Sequence, residues 1–421
     1  MPVIEGFDVV PLIFDSHGKM EPPQAFDAVL ERAKSASDAI FIAHGFRNDV
    51  DDATNLYTNF LKTFRAHLSR PEFRAVASRD FVVATVYWPS KPFRETFGAE
   101  QGETRGLRHP AQEMDDARAQ LEDLKKHDAT PAQRRKLGKA IDLLPTLEGN
   151  AAAQDKFVAL VLSLLDRSAL DQTEGLPQLR KQPGSELLTR LSDPAADSTR
   201  GIGKVFGQIT GGVGQFLNLT TWYVMKDRSG TVGGEGVAQA VRTLRASRPD
   251  VRIHLVGHSL GGRLMAGCAK ALSEAPPVRP DSLLLLEAAF SHFGFSADNG
   301  HGSAGFFRDV IAKQVVKGPF VSTFSAQDTV VGKAYSIMSR LARDNTREIG
   351  DAFDEFGGIG RNGPQKTTEI QSARLHPAGT AYAYKEGVIN NLDGSGGLIK
   401  DHGDVTNEAV TYAFASAIAR T

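Results

Sequence analysis

The sequence predicts an α/β fold in which helices cover both faces of a mostly parallel sheet. Short apolar runs rich in β-branched residues are typical of strands buried on both faces. They alternate along the chain with longer runs of helical periodicity, which indicates strand–helix–strand units. The predicted strands are residues 39–43, 81–87, 251–256, 282–286 and 319–324. The predicted helices are residues 53–68, 236–246, 260–272 and 405–419.

The strand–helix alternation stops between residues 90 and 234. Mixed charges over residues 111–140 indicate solvated helices, whereas residues 157–170 are apolar almost all round and predict a buried helix. We therefore expect one α/β catalytic domain formed by residues 1–89 and 235–421. Residues 90–234 form a mainly helical insertion on that domain.

Composition excludes several classes of function. The formal net charge is −1, so no overall basic field points to nucleic acid as a partner. Cys268 is the single cysteine, which precludes an intramolecular disulfide and fits a reducing compartment. The N-terminus lacks a signal-peptide pattern, and the longest apolar run is far shorter than the about 20 residues of a bilayer span. We expect a cytoplasmic protein without an integral membrane span, and the oligomeric state stays open.

The most informative motif is Gly257-His258-Ser259-Leu260-Gly261, a G-x-S-x-G pattern. It lies between a predicted strand and a predicted helix, where a strained turn presents a serine hydroxyl as a nucleophile. Glycine two residues before and two residues after the serine leaves room for neighbouring backbone. The alternative is an ordinary glycine-rich turn between a strand and a helix.

This GHSLGG segment after an apolar strand resembles the nucleophile elbow of the α/β-hydrolase esterases and lipases. The resemblance covers residues 39–90 and 236–421 and does not extend to the insertion. It implies acyl transfer through a covalent serine intermediate, with no cofactor. It also implies that the acid and then the histidine follow the serine along the chain.

The resemblance further implies two backbone N–H donors for the oxyanion. One is the N–H after the nucleophile, here that of Leu260. The other comes from the loop after the third strand of the fold, which matches His44-Gly45-Phe46 and makes the Phe46 N–H the second donor. The HGGG form of this loop is absent. The alternative is that His44 and Gly45 only terminate a strand.

Asp328 is the expected acid because it directly follows the predicted strand at 319–324. A carboxylate just past a strand end is where the imidazole needs its partner. An ordinary aspartate that caps the following helix is the alternative interpretation. Glu287 and Asp298, which follow the preceding strand, are further candidates for the acid.

His402 is the expected base. It follows a glycine-rich loop and precedes the last amphipathic helix, where the resembled fold supplies its histidine. Imidazole has a suitable pKa to take the serine proton and return it to the leaving group. His376 and His301 are the alternatives for this role.

These residues predict a carboxylic ester hydrolase that acts on a small-molecule or lipid ester. The sequence contains no metal-binding motif, so we expect no metal. Lipase or phospholipase, amidase or peptidase, and thioesterase activities remain open on the same fold, as does a catalytically silent scaffold that binds a partner.

The insertion is expected to cover the active site as a cap. Its segment 201–224 has Gly203, Gly207 and Gly211 at a spacing that permits close helix packing. Apolar neighbours that include Trp222 and Tyr223 are candidates to line a pocket for an acyl group. The alternative is that these side chains form the insertion's own core.

Overall fold

The computed structural model describes residues 2–90, 110–127, 129–165, 172–192, 209–300, 302–342 and 354–421. Within these residues the chain forms a nine-stranded sheet. The strands are β1 (Val3–Ile4), β2 (Phe7–Ile13), β3 (Asp38–Ala43), β4 (Phe81–Tyr87), β5 (Arg252–His258), β6 (Ser282–Leu286), β7 (Phe320–Phe324), β8 (Ile370–Arg374) and β9 (Ile389–Asp393).

The strand order is β1-β2-β4-β3-β5-β6-β7-β9-β8. Only β1 and β2 pair antiparallel among these strands, and every other neighbouring pair is parallel. The carboxyl ends of β3, β5, β6 and β7 therefore meet at one edge of the sheet, where ligand sites of open α/β folds lie. The predicted α/β class with a mostly parallel sheet is confirmed.

Helices surround the sheet, and the last of them, α15, packs on α2 on one face through Phe64 and Phe414, whose ring centroids are 4.8 Å apart. The helices are α1 (Ala25–Ala33), α2 (Val50–Leu68), α3 (Arg74–Ala77), α4 (Pro110–His127), α5 (Pro131–Leu143), α6 (Ala151–Leu162), α7 (Leu176–Leu179), α8 (Gly184–Ser192), α9 (Ile209–Thr231), α10 (Ala238–Ser247), α11 (Leu260–Leu272), α12 (Arg308–Ala312), α13 (Thr329–Ala342), α14 (Ile359–Asn362) and α15 (Glu408–Ile418).

The sheet has an apolar core on each face, which explains the continuous apolar runs of its central strands. Successive side chains of a strand point to opposite faces. On β3, Phe41 packs into the core shared with α11 and the helical segment, whereas Ile40 packs into the core shared with α2 and α15. Both are fully buried, so a polar residue at either position lacks access to water.

The five predicted strands are present, but the strands at the sheet's two outer parts were missed. β2 has an alternating exposure pattern and contains Pro11. β8 forms an edge and buries none of its residues fully. β9 carries two asparagines within its buried stretch. These strands lack the continuous apolar character on which the prediction depended.

The described residues of the segment between β4 and β5 form helices joined by turns and irregular stretches, with no strand among them. Its buried side chains, such as Leu121, Phe157 and Phe216, join the apolar core on one face of the sheet. Residues 201–208, with Gly203 and Gly207 of the predicted pocket segment, lie outside the described residues. No helix in the described ranges is both long and apolar enough to cross a bilayer.

The predicted helix at 236–246 is the end of a longer one. A π-helical segment, Val232–Val237, joins α9 to α10 without interruption. Gly233 lies against α11 so closely that a Cβ there would be 2.0 Å from the Leu264 carbonyl oxygen. Gly233 thus permits close helix packing, and the chain passes the expected boundary at 234 inside one continuous helix.

Candidate active site

Ser259 occupies a sharp turn between β5 and α11. Its φ of 58° and ψ of −124° are strained for a residue with a side chain, at a cost on the order of 1–3 kcal/mol. Neighbouring backbone holds this conformation from both sides. The Ser259 N–H donates to the Leu286 carbonyl at 3.0 Å, and the Ala289 N–H donates to the Ser259 carbonyl at 3.0 Å.

The two glycines of the motif are required by this turn. A Cβ on Gly257 would be 2.2 Å from the Gly261 carbonyl oxygen, and a Cβ on Gly261 would be 2.4 Å from the Ala43 carbonyl oxygen. Both distances are far inside van der Waals contact with backbone that has no room to move. Any larger residue at either position must displace the turn that presents Ser259.

A hydrogen-bonded chain of three side chains begins at Ser259. His402 Nε2 lies 2.8 Å from Ser259 Oγ, and His402 Nδ1 lies 2.8 Å from Asp328 Oδ2. A neutral imidazole with its proton on Nδ1 donates to the carboxylate and accepts from the hydroxyl. Both distances are within the reach that proton transfer requires, and they join the three residues that the sequence predicted to meet.

Asp328 is fully buried and has a hydrogen bond on each carboxylate oxygen. Oδ2 contacts His402, and Oδ1 accepts the Val331 N–H at 2.9 Å in the first turn of α13. The residue therefore caps a helix and contacts the imidazole at the same time, so the cap does not exclude a role as the acid. The cap fixes the carboxylate's orientation toward His402.

His258, the residue before Ser259, contacts the backbone of His402. Its Nε2 donates to the His402 carbonyl oxygen at 2.7 Å, and the two rings lie 4.8 Å apart. Burial, followed by the nearby His402, lowers the pKa of His258 to about 3, so the ring is neutral at physiological pH. The G-x-S-x-G motif permits any residue at position 258, so the contact with His402 could not be predicted from the motif.

The predicted oxyanion loop lies against Ser259. A Cβ on Gly45 would be 2.7 Å from the Ser259 Cβ and 3.2 Å from its Oγ. The backbone N–H groups of Phe46 and Leu260 donate no hydrogen bond to any residue in the described part of the chain. Two unused donors beside a hydroxyl provide what a developing oxyanion requires.

The other candidates for the acid and the base lie elsewhere or lack the necessary contact. Asp298 accepts the N–H of Gly300 in an exposed loop. His376 packs on Tyr382 away from Ser259, and His301 lies outside the described residues. Among the described residues, no group of three or more His, Cys, Asp or Glu side chains is arranged to hold a metal ion.

Glu287, the remaining candidate, is an unusual neighbour of this site. It directly follows β6, has a φ of 45° and is fully buried. Neither carboxyl oxygen has a hydrogen-bond partner in the described ranges. Burial, followed by the charge of Asp328, raises the pKa of Glu287 well above its ordinary value. Both effects favour the neutral carboxylic acid form of Glu287.

A second polar cluster, the Glu174 cluster, joins the helical segment to the sheet. Glu174 forms a buried ion pair with Lys226 and accepts the Tyr335 hydroxyl at 2.8 Å and the Ser291 N–H at 3.0 Å. Burial opposes ionisation, but the charge and hydrogen bond of Lys226, together with Arg263 and Tyr335, outweigh it and lower the pKa of Glu174. Residues of α9, α13 and the loop after β6 are thus fixed to one another.

The helical segment also reaches the predicted oxyanion loop. Trp222 on α9 packs edge-on against Phe46, with ring centroids 5.7 Å apart. Both side chains are half-buried. The described part of the segment therefore contacts the residue that follows Gly45, and aromatic surface borders the site on this side.

Comparison of the chain with known proteins gives no match: no family model, no curated protein and no solved structure matches it. A proposal for its function therefore depends on the geometry of the residues at Ser259.

Proposed function

We propose that the protein is a serine hydrolase of the α/β-hydrolase type that cleaves carboxylic esters through an acyl-serine intermediate. The observation that carries the proposal is the hydrogen-bonded chain from Ser259 through His402 to Asp328, which begins at a strained turn. A strand–turn–helix elbow with an acid and a base at these distances is the arrangement used for acyl transfer.

The proposed reaction follows from the contacts. As Ser259 Oγ attacks the ester carbonyl, His402 Nε2 takes its proton, and Asp328 stabilises the imidazolium that forms. The N–H groups of Phe46 and Leu260 donate to the negative carbonyl oxygen. His402 then protonates the leaving alcohol. It next takes a proton from water, whose oxygen attacks the acyl carbon. As the bond between that carbon and Ser259 Oγ breaks, His402 returns the proton to Oγ and the carboxylic acid leaves.

We further propose that residues 90–234 act as a cap on a catalytic domain formed by residues 1–89 and 235–421. The contact between Trp222 and Phe46 supports this role, because it brings the helical segment to the donor side of the site. Aromatic surface at that position favours esters with an apolar acyl or alcohol group, either small molecules or lipids.

A panel of p-nitrophenyl esters of increasing acyl length tests the proposal. The S259A variant is expected to fold and to lose roughly 10⁶-fold in kcat, the size of effect seen when an acting nucleophile is removed. S273A is the matched control, since Ser273 lies at the other end of α11, and it should keep the original kcat. Turnover close to the original rate in folded S259A contradicts the mechanism.

The same panel distinguishes the related activities. Matched amides and thioesters test whether the acyl-serine forms more readily from another bond, and activity that rises sharply with long acyl chains indicates a lipase. A protein that turns over none of these compounds fits the silent scaffold instead.

A further inference from the structure

The direction of the Phe46 N–H depends on one peptide unit, Gly45–Phe46. This peptide is trans, so its carbonyl oxygen and its N–H point to opposite sides. The Gly45 carbonyl oxygen lies 2.9 Å from His44 Nδ1. A carbonyl only accepts, so Nδ1 carries the proton and donates. The bond turns the carbonyl toward the His44 ring and the Phe46 N–H away from it.

The residue that begins this peptide, Gly45, is a neighbour of the proposed nucleophile. Gly45 lies against Ser259, close enough that a Cβ would contact its side chain at 2.7 Å. The Phe46 N–H donates to no group among the described residues. If the peptide rotated by half a turn, its carbonyl oxygen would take the place of the donor, and two negative oxygens would then repel one another.

The His44 ring is itself held in one orientation and one protonation state. It stacks on the Trp88 ring with centroids 5.7 Å apart, and the backbone N–H of Trp88 donates to Nε2 at 3.4 Å. An N–H partner at Nε2 and a carbonyl partner at Nδ1 are compatible with a single neutral tautomer. Burial lowers the pKa of His44 to about 4, although the bond to Gly45 opposes this shift.

We propose that His44 is a positioning residue of the oxyanion hole: its Nδ1–H fixes the Gly45–Phe46 peptide so that the Phe46 N–H faces the oxyanion. The inference rests on the proposed ester hydrolysis. His44 touches neither the substrate nor Ser259 in this role, and it acts through the peptide that it orients.

The test compares an ester with the thionoester that carries sulfur in place of the carbonyl oxygen. Sulfur is a weak hydrogen-bond acceptor, so the thionoester gains little from a correctly aimed N–H. H44F keeps an aromatic ring on Trp88 and removes both nitrogens. It is expected to lower kcat for the ester by about 10- to 100-fold at unchanged KM, and to lower the ester-to-thionoester ratio of kcat/KM.

Two further variants separate positioning from stability. H44N places an amide N–H where Nδ1–H was, and it should restore the ratio to within about threefold of the original. Y57F is the matched control. The Tyr57 hydroxyl accepts a hydrogen bond from the backbone N–H of His44 at 3.0 Å and donates to the Val86 carbonyl at 2.6 Å. Its loss therefore weakens the same loop without removing a bond to the Gly45–Phe46 peptide. Its ratio should stay unchanged while its unfolding temperature falls.

An unchanged ratio in folded H44F overturns the inference, as does an H44N ratio as low as that of H44F. If H44F does not fold, a crystal structure of the unmodified chain phosphonylated at Ser259 gives the answer. The phosphonyl oxygen should lie about 2.7–3.1 Å from the Phe46 nitrogen with Gly45 still bonded to His44, and a flipped peptide overturns the inference. If the unmodified protein hydrolyses neither compound, the proposed function itself is contradicted. If it hydrolyses the ester and the ratio is unchanged in H44F, only the role of His44 is contradicted.

Discussion

The hydrogen-bonded side chains of Ser259, His402 and Asp328 form one polar network, and the Glu174 cluster forms another. Both networks contact α13, but they differ in how completely their polar groups are paired. In the Glu174 cluster, the carboxylate is bound by Lys226, Tyr335 and a backbone N–H, all out of contact with water. The network at Ser259 instead ends at the serine hydroxyl. The nearby backbone N–H groups of Phe46 and Leu260 have no acceptor in the described residues. A fully paired network fixes segments together, whereas unused donors beside a hydroxyl provide binding capacity for a reacting group.

The largest expected effect of breaking either network is on catalysis. D328N keeps a side-chain oxygen to cap α13 but no longer holds His402 in the tautomer that accepts the serine proton. We expect kcat for a p-nitrophenyl ester to fall by about 10⁴-fold with little change in stability. D298N, in an exposed loop, is the control and should keep the original kcat. A folded D328N within tenfold of the original rate contradicts the role of Asp328.

The next effect is on stability and concerns the Glu174 cluster. K226M removes the cation and leaves the Glu174 carboxylate buried without its charge partner. We expect the free energy of unfolding in urea to fall by about 3–5 kcal/mol. K313M, which breaks an exposed pair with Asp309, should cost no more than about 1 kcal/mol. Equal losses in the two variants would show that the buried pair does not join the helical segment to the sheet.

The smallest expected effect is on the pH dependence of stability, where the two buried glutamates, Glu287 and Glu174, should act in opposite directions. Glu287 has a raised pKa in the folded state, so the folded chain binds more protons than the unfolded chain above the ordinary value of 4.5. The unmodified chain should therefore lose stability relative to E287Q as the pH rises from 4.5, by up to about 1.4 kcal/mol per pH unit. Below pH 4.5 the difference in stability between the two should no longer change with pH.

Urea unfolding of both chains between pH 4 and pH 8 measures this difference. Parallel curves would mean that Glu287 has a partner or water that satisfies its charge. Glu174 has the opposite shift, so its ionised form contributes stability that is present above its unfolded pKa and is lost as the pH falls through the folded one.

The features that the sequence predicted are those with a local or ordered signal. The elbow at Ser259 is visible because its glycines are required within five residues of chain, and β5 and α11 carry clear periodicity on either side. Asp328 and His402 follow strands or precede helices in the order that the resemblance implied. Asp328 follows a strand that was predicted, whereas His402 was located from the predicted last helix, because the strand before it, β9, was missed.

The features that were missed depend on contacts between distant segments. His258 gains its role from the carbonyl of His402, which is remote in sequence, and the motif permits any residue at its position. The neutral state of Glu287 depends on burial that no local pattern reveals. The continuous helix through 234 was also missed, and the packing of Gly233 against α11 is likewise a tertiary contact.

Covalent labelling with a fluorophosphonate tests the central claim most directly, because it requires an activated serine and no knowledge of the natural substrate. We expect a single adduct, on the peptide that carries Ser259. Its rate of formation should fall sharply in D328N, and no adduct should form in S259A. S273A should label like the unmodified chain. An unlabelled native protein, or an adduct on another serine that persists in S259A, would contradict the claim that Ser259, His402 and Asp328 form a working hydrolytic site.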